Sequence, residues 1–174
     1  GDWGQVRSAS GVYNKGLYNN GSHMLDLLIL LLGPMHVVAA GPGRVDMWDH
    51  DPSIPALLLS ASGIPVTLNC GHAADYSIFE LELVTERGPI KMENGGLDWQ
   101  IRTVGPSETF AGYQVLGKPL YRAGTMGGAV LAAVEEIASI VASKGHPSCT
   151  AEHAIEVQTL CEAIRAASKT TIET

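Results

Sequence analysis

The sequence predicts an α+β domain, an open and predominantly antiparallel sheet with helices packed on one face. Three observations lead there: one nearly all-apolar helix close to the amino end, a run of short alternating segments through the middle, and two helices of amphipathic spacing at the carboxy end. A chain of 174 residues without internal repeats or low-complexity segments reads as one domain over residues 1–174.

Residues 1–18, with Trp3, Val6, Tyr13 and Tyr18 among Gly, Ser and Asn, read as a strand followed by a loop. The next stretch, Asn19-Asn20-Gly21-Ser22-His23-Met24-Leu25-Asp26, runs into the block Leu27–Leu32 and stops at Gly33-Pro34. Asn19 or Asn20 can cap a helix start, and Gly33-Pro34 ends it after about three turns. Between Met24 and Leu32 only Asp26 is polar, so this helix is covered on most sides. It is shorter than the roughly 20 apolar residues that a bilayer requires.

Beyond Pro34 the period becomes two. His36–Ala40, Val45–Trp48 and Ala56–Ser62 are short runs bounded by Gly, Pro and Asp, and Val66–Cys70 follows a turn at residues 61–65, predicting a hairpin. Residues 77–85 alternate Phe79, Leu81 and Leu83 against Glu80 and Glu82. A turn at 86–88, a strand at Pro89–Glu93 and a last strand through Leu97, Trp99, Ile101 and Thr103 bring the total to six to eight. No period holds from Gly105 to Gly128, which reads as a functional or interfacial loop. Val130, Val134, Ile137 and Val141 then mark a helix ending at Gly145. In the last helix Thr150 caps and Ala154, Val157, Cys161 and Ile164 form the stripe. Both read as core-facing helices packed on the sheet.

A net charge of −7 with no basic run argues against nucleic acid or an anionic membrane as partner. Three scattered cysteines without a C-x-x-C indicate neither a disulfide framework nor a zinc site, and point to a reducing, cytoplasmic setting. The chain opens on Gly rather than Met, with no charged-then-apolar leader, which is expected of a processed product or a piece of something longer.

His23 is the chemical focus. In the first turn of a helix it lies near the positive end of the dipole, where an imidazole can act as a proton acceptor. Asn19, His23 and Asp26 share one edge by their spacing of four and three. The plainer alternatives are that His23 only caps the helix and that Asp26 is a structural acceptor for a backbone or arginine partner. Lys15, in the Gly- and Asn-rich loop before the motif, is a cation that could bind a hydroxyl, carboxylate or phosphate, the plainer alternative being an exposed surface lysine. His50 with Asp49 and Asp51, and His72 with Asp75, lack any helical ligand spacing and have turn composition, so no metal is expected.

The run Asn19-x-Gly21-x-His23-x-x-Asp26, the Leu-Gly-Pro helix end, Ser62-Gly63-Ile64-Pro65-Val66, Leu83…Glu86-Arg87-Gly88-Pro89-Ile90 and the closing helix pair together resemble the carboxy-terminal domain of the Gfo/Idh/MocA oxidoreductases. The resemblance implies a substrate-binding domain of an NAD(P)-dependent sugar, polyol or sugar-nucleotide dehydrogenase. It implies NAD or NADP held mainly by an amino-terminal Rossmann domain of the same polypeptide, and a homo-oligomer built through the sheet. It assigns proton transfer to His23 and its partner position to Asn19. Their place in the loop and helix entry around the motif makes Lys15, Tyr13, Tyr18 and Asn20 the candidates toward substrate, with simple packing the plainer alternative for the tyrosines and helix entry for Asn20.

Two departures stand out. The family's pattern has Asp where this chain has Asn19, and an amide cannot ionise. Neither a G-x-G-x-x-G after a strand nor the family's Glu-Lys-Pro motif occurs; Gly124-Thr125-Met126-Gly127-Gly128 precedes a helix without the strand that a nucleotide fingerprint requires. The domain alone is therefore expected to be inactive in redox chemistry. A non-catalytic sugar-binding or dimerisation module of the same fold is the alternative, and a metal-dependent hydrolase a distant third.

Overall fold

The apolar helix begins earlier than its sequence suggests. In the computed structural model, which describes residues 2–143, 145–168 and 171–172, a π-helical turn at Gly16–Gly21 runs straight into helix α1, Ser22–Leu32. Gly21 is itself helical and no side chain caps α1. The orphan amides lie instead at the start of the π-turn, and they are satisfied from elsewhere in the chain. Asp46 Oδ2 accepts from the amide of Lys15 at 2.8 Å and Ser53 Oγ from that of Gly16 at 2.9 Å. Asp51 accepts from Tyr18 at 2.9 Å and from Asn19 at 3.1 Å, one with each carboxylate oxygen. The Asn19 or Asn20 cap expected from the sequence is replaced by a cap in trans, because Asp51 reaches both amides at once. Gly16 has φ +90°, and a Cβ there would collide with the Asp51 carboxylate, so the close approach of that carboxylate requires glycine. At the other end Gly33, at φ +80°, donates to Ile29 O at 2.8 Å and closes the helix.

The strands are β1 Val6–Tyr13, β2 Met35–Ala40, β3 Gly43–Trp48, β4 Asp51–Ser53, β5 Ala56–Ser60, β6 Pro65–Cys70, β7 Phe79–Thr85, β8 Gly88–Glu93, β9 Asp98–Ile101, β10 Val104–Pro106, β11 Gln114–Leu116, β12 Leu120–Ala123 and β13 Thr171–Ile172. Eight form one sheet in the order β12-β9-β8-β7-β1-β6-β5-β2. Only the β1–β6 pair in it is parallel, and β5–β6 is the hairpin expected at residues 61–65. β3 and β4, with β13, make a separate small sheet that carries Asp46, Asp51 and Ser53 to the π-turn.

One face of the large sheet is covered by α1 and by α3, Ala151–Ala167. Met24, Leu25, Leu28, Ile29 and Leu32 of α1 are buried with Val157, Leu160, Cys161 and Ile164 of α3, over Leu58, Val66, Leu68, Leu81 and Met92 of the sheet. Each such side chain contributes about 1.5–3 kcal/mol, so the five of α1 far outweigh the ~1 kcal/mol that a local cap would add. Thr150 Oγ1 caps α3 by accepting from His153 N.

The segment from 105 to 128 is not structureless. β10 and β11 pair as a small hairpin and β12 adds an edge to β9. A second correction concerns α2, Ala129–Val141. Its stripe is real, yet Val130, Leu131, Val134, Ile137 and Val141 are 58–80% exposed. α1 and α3 already occupy the apolar face of the sheet, and among the described residues no element covers α2. No helix among them is long and apolar enough to cross a membrane.

Candidate functional site

A cavity of about 810 Å³ opens between the amino-terminal half of α1 and the start of α2. Asn20 projects from the π-turn, and His23, Asp26 and Leu27 from α1. Phe79, Met92 and Trp99 supply an apolar floor from β7, β8 and β9, with Gly95 and Gly96 beside them. Thr125, Met126 and Gly128, with Ala129 and Ala132 of α2, close the far side. His23 thus sits on a largely apolar recess.

The helical run starts at Gly16, seven residues before His23. The positive end of the dipole acts over the first turn only, so it is centred on the amides held by Asp51 and not on His23, as the sequence had suggested. Asp26 lies one turn beyond His23, and its Oδ1 is 2.6 Å from Nε2 of His153 on α3. Its partner is a histidine, where a backbone group or arginine was expected.

The sequence-derived candidates divide. His23 and Asn20 line the cavity. Asn19 does not; its Nδ2 donates to Lys15 O at 3.1 Å and, more weakly, to Asn20 Oδ1 at 3.4 Å, so it braces the π-turn. Lys15, at φ +67°, is fixed through its backbone to Asp46 and is not a lining residue. Tyr13 is fully buried, and its hydroxyl both donates to Ile54 O and accepts from Ile54 N. That correction is physical, since a side chain with no exposed surface cannot meet substrate. Burial, joined by smaller contributions from Cys70, holds its phenol well above the ordinary range. Tyr18 turns to the other side of the π-turn, where its ring lies 5.6 Å beneath the Arg165 guanidinium. Burial first, and then the nearby Glu162 carboxylate, raises its phenol.

The Asp49-His50-Asp51 cluster is taken apart by the fold. Asp51 caps the π-turn and the His50 carbonyl accepts from Arg165. No group of three or more His, Cys, Asp or Glu side chains among the described residues is arranged to hold a metal ion. The glycine cluster at 124–128 does follow a strand, contrary to expectation. β12 is antiparallel to its neighbour, however, and the parallel βαβ unit of a dinucleotide site is not formed there.

Missed from sequence were His153, whose pairing with Asp26 spans 127 residues, and the wall made by Phe79, Met92, Trp99, Thr125 and Met126. The alternation at Phe79 and Trp99 signalled burial but not a cavity. Chemically, the recess offers an imidazole, a carboxylate, an amide and a hydroxyl against a wall that repels water. That suits proton exchange with a hydroxyl or carbonyl compound. A planar ring would fit along the apolar floor, but no Lys or Arg is among the lining residues, so nothing on this wall would neutralise a pyrophosphate.

No protein-family model and no curated protein matches the chain. Solved structures do. KijD10, a 3-ketoreductase from Actinomadura kijaniata solved with NADP, superposes with a TM-score of 0.69 at 18% identity, over 99% of this chain and 55% of its own. A protein assigned as an NADPH-dependent oxidoreductase from Desulfitobacterium hafniense DCB-2 gives 0.73 at 18% identity, over 95% and 55%. The oxidoreductase assigned as YvaA of Bacillus subtilis gives 0.71 at 16%, over 97% and 57%. KijD10 has also been solved with NADP and TDP-benzene together. The chain spans little more than half the length of these structures, and at such identities what it shares with them is the fold.

Proposed function

We propose that this chain is the substrate-side domain of an NAD(P)-dependent oxidoreductase of the Gfo/Idh/MocA type, acting on a sugar, polyol or sugar nucleotide. The observation that carries the reading is His23 on an apolar-floored cavity, in a fold shared with structures solved with NADP. The lack of a cationic lining side chain supports placing the nucleotide's phosphates on another domain of the intact polypeptide. The uncovered apolar stripe of α2, which starts at the cavity wall, supports a domain docked alongside it.

The nicotinamide, when bound, supplies the hydride acceptor. His23 takes the proton of the reacting hydroxyl as the carbon–hydrogen bond opens, and returns it in the reverse direction. Asn20 hydrogen-bonds a substrate oxygen. Phe79, Met92, Trp99 and Met126 exclude water from the carbon undergoing oxidation. Association of copies through the sheet is supported by its helix-free face, where Leu57, Thr67, Ser10, Glu82, Lys91, Gln100 and Tyr121 form one cross-strand row.

The test is reduction of NAD or NADP by the full-length polypeptide against a panel of hexoses, polyols and sugar nucleotides. His23→Ala should lower kcat/KM by about 10²-fold or more, the scale of lost general-base catalysis. Full activity in a folded His23→Ala protein would refute the assignment. Asn19, an amide engaged by Lys15 O, favours the second reading, a non-catalytic sugar-binding or dimerisation module. Tight sugar binding without turnover on any of these substrates would establish that reading instead.

A further inference from the structure

We propose that His153 is a positioning residue of this site, and that the Asp26–His153 pair orients the substrate by receiving a second hydroxyl, next to the one that reacts at His23. The inference rests on the function proposed above.

Asp26 is the one carboxylate among the residues lining the cavity. Its Oδ1 is held at 2.6 Å by Nε2 of His153, and its side chain is 47% exposed. One oxygen is therefore committed to the histidine while the carboxylate remains accessible from the cavity. His153 in turn is anchored. Its amide donates to Thr150 Oγ1 at 3.3 Å, its side chain is only 25% exposed, and α3 is locked to the core by Val157, Leu160, Cys161 and Ile164. The contact is thus unlike a pair of long side chains meeting on a surface. It joins two packed helices and restricts the rotamer of a carboxylate one turn from His23.

A carboxylate restrained in this way accepts from a substrate O–H with little further loss of side-chain freedom. Asn19 is not among the lining residues, and its Nδ2 donates to Lys15 O. Asp26 is left as the anionic acceptor beside the imidazole. Two acceptors one helical turn apart select a substrate with neighbouring hydroxyls, a vicinal diol within a sugar ring or polyol, over a lone alcohol.

The experiment compares His153→Ala, His153→Gln, Asp26→Asn and the double variant His153→Ala/Asp26→Asn in the full-length enzyme, with a polyol and its analogue lacking the adjacent hydroxyl. His153→Ala should lower kcat/KM for the diol about 10-fold. Gln, whose Nε2 can still donate to Asp26, should restore it to within about 3-fold of the parent, and the double variant should be no worse than Asp26→Asn alone. Preference for the diol over the deoxy analogue should shrink in step. A merely structural tie would shift the melting temperature and leave that preference unchanged. A folded His153→Ala enzyme with parental kcat/KM and preference, or losses that add in full, would overturn the inference. Indifference of His23→Ala in the same assay, or no turnover at all, would overturn the reading beneath it as well.

Discussion

Replacing Asp51 by alanine isolates the device that sets the position of His23. Asp51 is 5% exposed, and both of its oxygens accept backbone amides, those of Tyr18 and Asn19. A hydrogen bond to a charged group contributes about 1.5–3 kcal/mol, and a buried amide left without its acceptor costs about 1–3 kcal/mol. Water entering the space left by the side chain recovers part of this, so the expected loss is about 3 kcal/mol. For a chain of this size that corresponds to a fall in Tm of roughly 6–12 °C. The damage should be local. The five core residues of α1 hold the helix to the sheet with about 1.5–3 kcal/mol each, while the π-turn that leads into His23 loses its acceptors. In urea the midpoint should fall with the slope unchanged, and hydrogen exchange should quicken at Tyr18 and Asn19 ahead of the interior of α1. Asp51→Asn should be intermediate, because its amide keeps one acceptor but turns a donor toward the second N–H. An Asp51→Ala protein within about 0.5 kcal/mol of the parent, the range of ordinary surface changes, would refute the argument that this carboxylate caps the turn.

The effects of His23→Ala and His153→Ala are set out above, and two further outcomes follow from the same geometry. Burial pushes the thiols of Cys70 and Cys161 up to about 12 from a starting value of 9.0, whereas Cys149 is exposed. Because these folded-state values are raised, their contribution to stability is whole below about pH 9 and is lost as pH rises toward 12. A thiol reagent at pH 8 should therefore modify Cys149 quickly, the half-buried Cys70 slowly and the buried Cys161 only on unfolding; rapid labelling of all three would refute it. Val134→Ser with Ile137→Ser on α2 should leave the Tm of this chain nearly unchanged, since both residues are 58–61% exposed, and the function proposed above requires that the same pair lower kcat/KM in the full-length polypeptide. A loss of 2–5 kcal/mol in the isolated chain, the scale of a core truncation, would show that α2 is packed within the domain after all.

What could be read from the sequence was what depends on near neighbours. The β5–β6 hairpin followed from the turn at Ser62-Gly63 and the alternation on either side, and Thr150 capped its helix as a threonine before an amphipathic run should. The end of α1 at Gly33 was legible for the same reason. The start of that helix was not. Its cap is Asp51, 32 and 33 residues from the amides it serves, and Asn19 and Asn20 offered a local answer that the fold did not use. The parallel β1–β6 pairing was equally invisible, because inserting the first strand between β6 and β7 is a matter of topology. Strands of three residues, β10 and β11, are too short to show a period. His23 could be singled out because its motif is compact, and it does line the cavity; His153 passed unnoticed because nothing in a helix announces which residue will face a carboxylate 127 positions earlier.

The case of α2 shows where amphipathy stops being evidence. An apolar stripe favours a cover on one face, and assigning that face to the sheet assumed that the cover lies in the same segment of chain. Here the cover is missing from the described residues, and the same end of the molecule lacks a cation on the cavity wall. Both gaps border the same rim, where Gly128, Ala129 and Ala132 line the cavity. A single body docked along α2 would fill them together, bringing a phosphate-binding surface to the recess while burying Val130, Val134 and Ile137. If two unrelated causes lay behind these gaps, polar substitutions on α2 would leave cofactor affinity untouched. One docked domain requires that they weaken it.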